Sequence, residues 1–308
     1  MEIRQLEALV SIADHGSFSG AGDALGTVQS NISTRIARLE SELGTELIER
    51  STGTITESGR VVVQRARRIL SELNAIASDV FELKSDVRGR VALGMIGTAG
   101  RWIVPLLLKA QREVYPNIAL HIIEGTNSTL EPQLVHGQLD LSVLAWPVSA
   151  PELVESDLFT EDLVLIAAKD HPLANLLGPV TFATLANYEL LLPLSGTPIR
   201  REIDEASLAQ GVTLRPLIEL DGLRTIASLT FDGHGPSILP ATMLSQHLRD
   251  SFRAIQIEGV PRRRVSLVSR RFGFPPAPVR AIQALLHEVV QTAHHVPEGV
   301  YLPTQPTD

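Results

Sequence analysis

The stretch SFSGAGDALGTVQSNISTRIARLE, at residues 17–40, determines how the N-terminal part of the chain folds. Ser17 can cap a helix predicted over residues 18–25, which Gly26-Thr27 then interrupts. The next helix carries one apolar face, formed by Ile32, Ile36, Leu39 and Leu43. Two short helices joined by a turn of three or four residues that contains glycine are typical of a helix-turn-helix.

The polar face of the second of these helices predicts a surface that contacts DNA. The N-terminal residues of a recognition helix enter the major groove, where Gln and Asn match adenine edges and Arg matches guanine edges or phosphates. Ser and Thr hydroxyls are suited to phosphates. The candidate contacts are Gln29, Ser30, Asn31, Ser33, Thr34, Arg35 and Arg38. A polar helix face that only meets solvent is the alternative.

A long helical segment follows and carries an apolar seam. Its apolar residues are spaced alternately by four and three positions, at Val62, Ala66, Ile69, Leu73, Ile76, Val80, Leu83 and Val87. A seam held for more than three heptads indicates packing of helix on helix, so we expect it to join two copies of the chain. Packing against the helix's own domain is the alternative.

From Val91 onward, short apolar runs alternate with helical segments. The runs predict strands at residues 91–93, 119–123, 139–144, 163–168, 190–194, 217–220, 237–239 and 265–268. This alternation indicates an α/β domain with largely parallel sheets. Residues 296–308 contain three prolines and no periodicity, which predicts a loose tail.

Composition narrows the classes of function. The 308 residues are 44% hydrophobic and 20% charged and include no cysteine, which excludes disulfides, Cys-ligated zinc and thiol catalysis. The net charge is −8, divided as −2 over residues 1–90 and −6 over residues 91–308, so DNA binding requires a local patch. No apolar run is long enough for a membrane span and no basic leader precedes an apolar stretch, so we expect a cytoplasmic protein.

Two turns in the α/β part predict a site for a small anion. Gly97, Thr98 and Ala99 follow the first strand. Thr126, Asn127 and Ser128 follow the second, and each turn opens a helix. Free backbone N–H groups and hydroxyls at helix N-termini bind anions, and ligands of such sheets bind beyond the carboxyl ends of the strands. Plain N-caps are the alternative for Thr98 and Ser128.

Further candidates for the same site come from later turns. Ser195, Gly196 and Thr197 follow another strand, and Arg200 lies just inside the next helix. Arg200 either pairs with an anionic effector or is a surface charge. His234 and Trp146 either face the ligand or pack elsewhere, Trp146 as a core residue.

The sequence motifs of catalysis and cofactor binding are missing. The chain has no Walker loop, no GxGxxG fingerprint, no HExxH pair and no nucleophile–base arrangement. We therefore expect neither an enzyme nor a resident metal ion or cofactor.

Residues 1–70 resemble the DNA-binding domain of LysR-type transcriptional regulators. The matching segments are 6–10, 16–19, 24–25, 29–33, 36–40, 43–44, 47–50 and 56–59. The region of about residues 90–295 is similar to the same family, through segments 89–94, 104–107, 115–117, 124–125, 134–141 and 232–240.

The resemblance implies an all-α winged helix-turn-helix at residues 1–58, a dimerisation helix at 59–89 and an effector-binding domain at 90–295. That domain would resemble a periplasmic binding protein, with α/β subdomain I at about 90–162 and 266–295 and subdomain II at about 163–265. Residues 296–308 would form a flexible tail.

The function implied by this resemblance is a transcriptional regulator whose activity responds to a small effector, such as a carboxylate, bound between the subdomains. The implied partners are an operator in double-stranded DNA and further copies of the chain, in a homodimer or homotetramer. RNA polymerase is an additional candidate partner.

Four departures from the family pattern matter. Val28 stands where Ser usually precedes the recognition helix, and Thr27 can supply the cap one residue earlier. The wing between Arg50 and Thr56 is about two residues shorter than usual, which leaves its contact with the minor groove open except through Arg50. Ile96 replaces a frequent Ser, and residues 233–236 read Gly-His-Gly-Pro.

Two other functions remain to be weighed. A small-molecule binding protein without a DNA role would explain residues 91–295 but not the helix-turn-helix. An enzyme that uses the cleft would need a nucleophile–base or metal arrangement, which the sequence lacks.

Overall fold

The computed structural model describes residues 1–50, 52–82, 87–271 and 273–303. Its N-terminal head contains the helices α1 (Ile3–His15), α2 (Phe18–Ala24), α3 (Gln29–Leu43) and α4 (Glu57–Glu82). Ser17 caps α2 as predicted, since its Oγ accepts a hydrogen bond from the Gly20 amide at 3.0 Å.

The apolar face of α3 forms the core of the head. Ile32, Ile36 and Leu39 are buried against Leu9 and Ile12 of α1, as their helical spacing predicts. Leu43, on the same face, is exposed, because α3 ends there and Gly44 turns the chain away in the left-handed conformation.

Helix α4 is one continuous helix. Its apolar seam is buried near the head and exposed farther along the helix. Ala66 is buried in the core of the head, so this part of the seam packs on its own domain. Ile69, Leu73, Ile76 and Val80 form an exposed apolar stripe, in which Ile76 is 62% exposed. Leu83 lies outside the described residues.

The rest of the chain contains two β-sheets with helices packed on them. The strands are β1 (Gly89–Ile96), β2 (Ile118–Gly125), β3 (Leu141–Ala145), β4 (Leu153–Glu161), β5 (Leu163–Ala168), β6 (Glu189–Pro193), β7 (Arg215–Leu220), β8 (Ser237–Pro240), β9 (Phe252–Gln256), β10 (Arg263–Arg270) and β11 (Val300–Tyr301). The helices are α5 (Gly97–Val114), α6 (Asn127–Val135), α7 (Phe182–Leu185), α8 (Pro198–Leu208), α9 (Leu223–Phe231) and α10 (Ala277–Gln291).

The first sheet has the strand order β11-β4-β10-β3-β1-β2, and α5, α6 and α10 pack on it. We call this the first unit. The second sheet has the order β7-β6-β8-β5-β9, and α8 and α9 pack on it, which makes the second unit. Each of the eight predicted strands coincides with an observed strand.

Both sheets are mixed, so the prediction of largely parallel sheets is wrong. In the first sheet, β1 is parallel to β2 and β3, whereas β10 is antiparallel to β3 and β4. In the second, β6 is parallel to β7 and β8, whereas β5 is antiparallel to β8 and β9. The unpredicted strands β4, β9 and β11 belong to antiparallel pairs, which need no helical crossover between their strands.

The chain passes between the two sheets twice. Asp162 joins β4 to β5, and residues 257–262 join β9 to β10. Because β10 starts at Arg263, residues 263–265 belong to the first sheet, and the return boundary predicted at residue 265 lies too late.

The C-terminal segment is ordered up to residue 303, so the prediction of a loose tail is wrong there. β11 pairs with the end of β4, with Val300 opposite Glu161 and Tyr301 opposite Thr160. Val300 is buried, which supplies an apolar anchor that the lack of periodicity hid. Residues 304–308 lie outside the described residues. None of the described helices has both the length and the apolar character that crossing a membrane requires.

Candidate functional site

The exposed face of α3 brings the candidate DNA contacts together. Gln29, Ser30, Asn31, Ser33, Thr34 and Arg38 are exposed, and Arg35 is half-buried. They occupy the first turns of the helix, around the side that faces away from the buried Ile32 and Ile36. This surface offers amides, hydroxyls and guanidinium groups, which are the donor and acceptor types that DNA edges and phosphates accept.

The start of α3 lacks the side-chain cap that Thr27 was expected to supply. Val28 is the N-cap residue and makes no capping bond through its side chain. Thr27 does not cap the helix either, because its Oγ1 accepts a hydrogen bond from Asn31 Nδ2 at 3.0 Å. Asn31 keeps one amide hydrogen and its carbonyl oxygen for another partner.

The wing is a short hairpin with one antiparallel bridge, between Ile48 and Ile55. Glu49 binds the hydroxyls of Thr52 and Thr54, at 2.8 and 3.2 Å. Arg50 is exposed and forms an ion pair with Glu46, four residues earlier in the chain, at a distance of 3.6 Å from its carboxylate. Position 51 lies outside the described residues.

A second group of candidate residues lies where the two units meet. The carboxyl ends of β1, β2 and β3 lie at one edge of the first sheet, and Arg224 of α9 contacts Glu124 of β2 there. We define the cleft as the space bordered by residues 97–99, 124–128 and 146 of the first unit and by residues 195–197 and 224 of the second.

On the first unit, α5 begins at Gly97. Its N-cap is Ile96, which provides no side-chain capping bond, and the side chains of Thr98 and Ala99 are buried. The turn therefore presents to the cleft backbone N–H groups that have no intrahelical acceptor.

The neighbouring turn is capped by its own side chains. Thr126 is the N-cap of α6 and forms a capping box with Thr129. Ser128 Oγ lies 2.8 Å from Thr126 Oγ1, so the hydroxyls bond to each other. Asn127 uses its amide to hold Ala145 at the end of β3. The alternative that Ser128 is the N-cap is therefore wrong, because Thr126 occupies that position.

On the second unit, Arg200 already has partners within the protein. Its guanidinium donates to the Pro193 carbonyl at 2.9 Å and to Asp204 at 2.8 Å, and it pairs with Glu219. Although burial lowers the pKa of Arg200, the two carboxylates raise it above its ordinary value. Arg200 is thus neither an unpaired group for an anion nor an exposed surface charge.

The hydroxyls beside Arg200 are bonded within the second unit as well. Ser195 donates to the carboxylate of Glu219 at 3.0 Å, and Thr197 donates to the Leu194 carbonyl at 2.8 Å. Gly196 has a positive φ of 86°, which lets the chain turn between β6 and α8.

The two aromatic candidates, Trp146 and His234, lie at different ends of their strands. Trp146, at the end of β3, is 55% exposed and has the Arg264 guanidinium 5.4 Å from its ring centroid, so it is not a core residue. His234 precedes β8, which runs parallel to β6, so it lies at the amino ends of these strands and away from the cleft. The expectation that His234 faces the ligand is therefore wrong. In the described part of the chain, no three His, Asp or Glu side chains are placed to bind one metal ion.

Sequence reasoning missed the charged pair that spans the cleft. Arg224 Nη1 donates to Glu124 Oε2, and the two residues belong to different units and are 100 positions apart in sequence. Arg101, on the first turns of α5, adds a second guanidinium group. Burial lowers the pKa of Arg101, and the charge of Arg224 lowers it further. No local sequence pattern could have joined these three residues.

Sequence reasoning also missed a buried network at the two crossings between the sheets. Glu161, the last residue of β4, is fully buried and accepts hydrogen bonds from Arg263 at 3.1 Å and from Thr242 Oγ1 at 2.7 Å. Arg263 lies 3.4 Å from Glu202 of α8 and so connects the two units. Burial raises the pKa of Glu161 and of Glu202, although Arg263 opposes both shifts.

The C-terminal segment completes this arrangement, which we call the crossover network. Tyr301 donates to Asp162 Oδ2 at 2.9 Å, and this bond raises the pKa of Tyr301. Arg262 donates to the other Asp162 oxygen at 3.2 Å and lies 3.6 Å from the centroid of the Tyr301 ring. The Asp162 amide donates to the Gly299 carbonyl at 2.8 Å. β11 thus contacts both crossings.

A cavity of about 160 Å³ lies between α4 and the first unit. Its lining includes Arg68 and Glu72 of α4 and Asp140 and Arg270 of the first unit. Arg270 donates to the carbonyls of Leu134 at 3.1 Å and Leu139 at 2.6 Å, and burial lowers its pKa. The helix that leaves the head therefore contacts the unit that carries one side of the cleft.

Two known protein families match the chain. The family described as bacterial regulatory helix-turn-helix protein, lysR family, matches residues 3–60. The LysR substrate binding domain matches residues 84–291.

Among curated proteins, a probable hydrogen peroxide-inducible genes activator of Streptomyces viridosporus is 30% identical over 94% of this chain and 94% of its own length. The DNA-binding transcriptional dual regulator OxyR of Escherichia coli is 29% identical over 94% of this chain and 95% of its own.

Solved structures share the architecture along the full chain. Full-length OxyR of Pseudomonas aeruginosa, with one cysteine replaced by aspartate, has a TM-score of 0.77 at 23% identity and covers 99% of both chains. CbnR complexed with its target DNA has a TM-score of 0.64 at 23% identity, over 94% of this chain and 99% of that one. At such identities the likeness shows a common fold.

Proposed function

The chain belongs to the LysR family of DNA-binding transcriptional regulators, and from this premise we propose that its effector is a small anion, such as a carboxylate, bound in the cleft. The observation that carries the proposal is the first turn of α5. Its backbone N–H groups lack a side-chain cap, and the side chain of Arg224 lies beside it. Helix N-termini and guanidinium groups both stabilise negative charge.

The head reads its operator through α3. Gln29, Asn31 and Arg35 contact base edges, and Ser30, Ser33, Thr34, Arg38 and Arg50 contact phosphates. The exposure of this face and the burial of the opposite one support this assignment. Glu46 has to release Arg50 before Arg50 can bind a phosphate.

Two copies of the chain pair through α4. The exposed stripe formed by Ile69, Leu73, Ile76 and Val80 supports this pairing, because a monomer would leave it in contact with water. Binding of the effector changes how the two units close, and α4 transmits that change to the heads through its contact with the first unit.

The peroxide response in the name of the Streptomyces viridosporus relative is not extended to this chain. Redox-sensing proteins commonly use an exposed, low-pKa cysteine, and none of the 308 residues is cysteine. The family relationship therefore supports DNA binding and regulation, whereas the signal has to come through groups other than a thiol.

The test is fluorescence anisotropy with the DNA upstream of the protein's own gene and with random DNA, over a salt series. We expect selective binding with a steep dependence on salt. Gln29→Ala should reduce the discrimination between the two DNAs while dimerisation is kept. Equal binding to both DNAs by the unmodified protein would contradict the proposed operator.

The effector site is tested in the same assay. Small carboxylates are screened for a change in DNA binding, and Arg224→Gln should abolish any such response while DNA binding is kept. A response that survives this substitution would place the effector elsewhere.

A further inference from the structure

The pair formed by Glu124 and Arg224 closes the cleft from both sides. Glu124 ends β2 of the first unit, and Arg224 lies in the first turn of α9 of the second unit. Their hydrogen bond therefore adds a polar contact between units that also meet through the chain crossings and the packing of α5 on α9.

The Glu124 carboxylate lies directly on the first turn of α5. A Cβ atom at Gly97 would lie 2.4 Å from Glu124 Oε1 and 3.3 Å from Arg224 Cδ. A side chain at position 97 would therefore displace the Glu124 carboxylate from this turn. A carboxylate of the protein thus lies at the place where the proposed function puts the carboxylate of an effector.

Arg101 of α5 adds a positive charge that acts on Arg224. Arg101 Nη2 lies 3.3 Å from the neutral Ser245 hydroxyl, and Arg101 Nε is buried with no hydrogen-bond partner among the described residues. Arg224 lies close enough to Arg101 to perturb it. Arg101 lies 5.4 Å from the centroid of the Phe231 ring, at the opposite end of α9 from Arg224, and its positive charge makes this region more favourable to an anion than to a cation.

The existing pair can be exchanged for a ligand. The side chains of Arg224 and Glu124 are 63% and 46% exposed, so water competes with their bond and neither is locked by packing. A guanidinium group can bind a planar carboxylate through two parallel hydrogen bonds. Arg224 forms one such bond with Glu124 in this structure.

From these observations we infer that Glu124 is a resident carboxylate that occupies Arg224 in the effector-free protein, and that the effector's carboxylate replaces it. This inference rests on the proposed function and adds the residue that recognises the anion and the residue that competes for it. Competition from Glu124 therefore lowers the apparent affinity of the cleft for an anion.

The test follows the Nε–Hε signal of Arg224 in the full chain labelled with ¹⁵N-arginine, with Arg224→Gln used to assign it. Sodium acetate is titrated against sodium chloride of equal ionic strength. We expect Glu124→Gln to lower the acetate concentration at half-saturation of the Arg224 signal at least fivefold, because the amide keeps the shape but not the charge. Equal titrations of both proteins would overturn the inference.

The control is Glu46→Gln, which breaks the exposed Glu46–Arg50 pair in the head and should leave the Arg224 titration unchanged. If, in uniformly ¹⁵N-labelled protein, acetate shifts the amide signals of residues 97–99 but not the Arg224 signal, the cleft remains the effector site and this inference fails. If neither responds in any variant, the proposed anion site fails with it. If methylammonium moves Arg224 in the unmodified protein by binding Glu124, the site prefers cations and the inference is overturned.

Discussion

Two arginine–carboxylate pairs lie where the α/β units meet, Glu161–Arg263 at the chain crossings and Glu124–Arg224 at the cleft, and they differ in their exposure to water. In the crossover network, Glu161 is 0% exposed and Arg263 10% exposed. In the cleft, Glu124 and Arg224 are both about half exposed or more. The same pairing of a guanidinium group with a carboxylate thus occurs once in the buried interior and once in contact with solvent.

This difference assigns different tasks to the two regions. A buried carboxylate needs its cation at all times, because an unpaired buried charge is costly. An exposed pair can be replaced by water or by a ligand at small cost. The crossover network therefore fixes where the units are joined, and the cleft pair is the part that an effector can change.

The largest expected effect comes from Arg263→Met, which leaves Glu161 buried without its cation. Removal of one partner from a buried pair costs about 3–5 kcal/mol, so we expect a loss of at least about 3 kcal/mol in the free energy of unfolding by urea at pH 7. The control is Arg262→Met, whose side chain is half exposed and which should cost about 1 kcal/mol or less. Equal losses in the two variants would mean that burial does not distinguish these arginines.

A smaller effect is expected where the C-terminal segment holds the crossings. Tyr301→Phe keeps the ring beside Arg262 and loses only the hydrogen bond to Asp162, at a cost of about 1 kcal/mol. Tyr301→Ala loses the ring contact as well, for a total of about 2 kcal/mol. Urea denaturation of both variants separates the two contributions. If Tyr301→Phe and Tyr301→Ala lower the free energy of unfolding equally, the contact between Arg262 and the ring contributes nothing to stability.

The structure explains which of these features the sequence could predict. Ile32, Ile36 and Leu39 repeat at helical spacing, so the buried face of α3 and the exposure of its polar face follow from a local pattern. The positions of Thr98 and Thr126 follow from strands that end just before them. Each of these predictions needed only residues close together in the chain.

The missed features depend on residues far apart in the chain. Glu124 and Arg224 are 100 positions apart, and the burial of Glu161 results from the return of β10 and β11 beside β4. His234 was misplaced because the direction of β8 decides which sheet edge its preceding loop occupies. Arg200 was misjudged because its partners Asp204 and Glu219 come from the following turn and from another strand.

The pH dependence of stability should separate the two regions further. Burial raises the pKa of Glu161 above its ordinary value of 4.5, so the folded state holds this proton to a higher pH than the unfolded chain does. The stability that this group provides is complete below its unfolded pKa and is lost as the pH rises through its folded pKa.

Glu161→Gln cannot ionise and avoids this loss. The free energy of unfolding of the variant minus that of the unmodified protein should therefore increase as the pH rises from about 4.5. The charge of Glu202 helps to raise the pKa of Glu161 and both carboxyls face Arg263, so the difference reports the coupled pair. Urea denaturation at several pH values checks the trend, and a difference that stays constant with pH would contradict it.

The smallest effect on stability is expected from Arg224→Gln, even though this variant breaks a direct contact between the units. The pair is exposed, so the free energy of unfolding should change by no more than about 1 kcal/mol. The same small change should follow from Glu124→Gln, and a double variant should show a coupling of similar size, measured by urea denaturation at low and at high salt. A loss as large as that of Arg263→Met would mean that the cleft pair holds the units together, and such a contact could not give way to an effector. A small loss leaves the binding energy of the anion free to set how the units close.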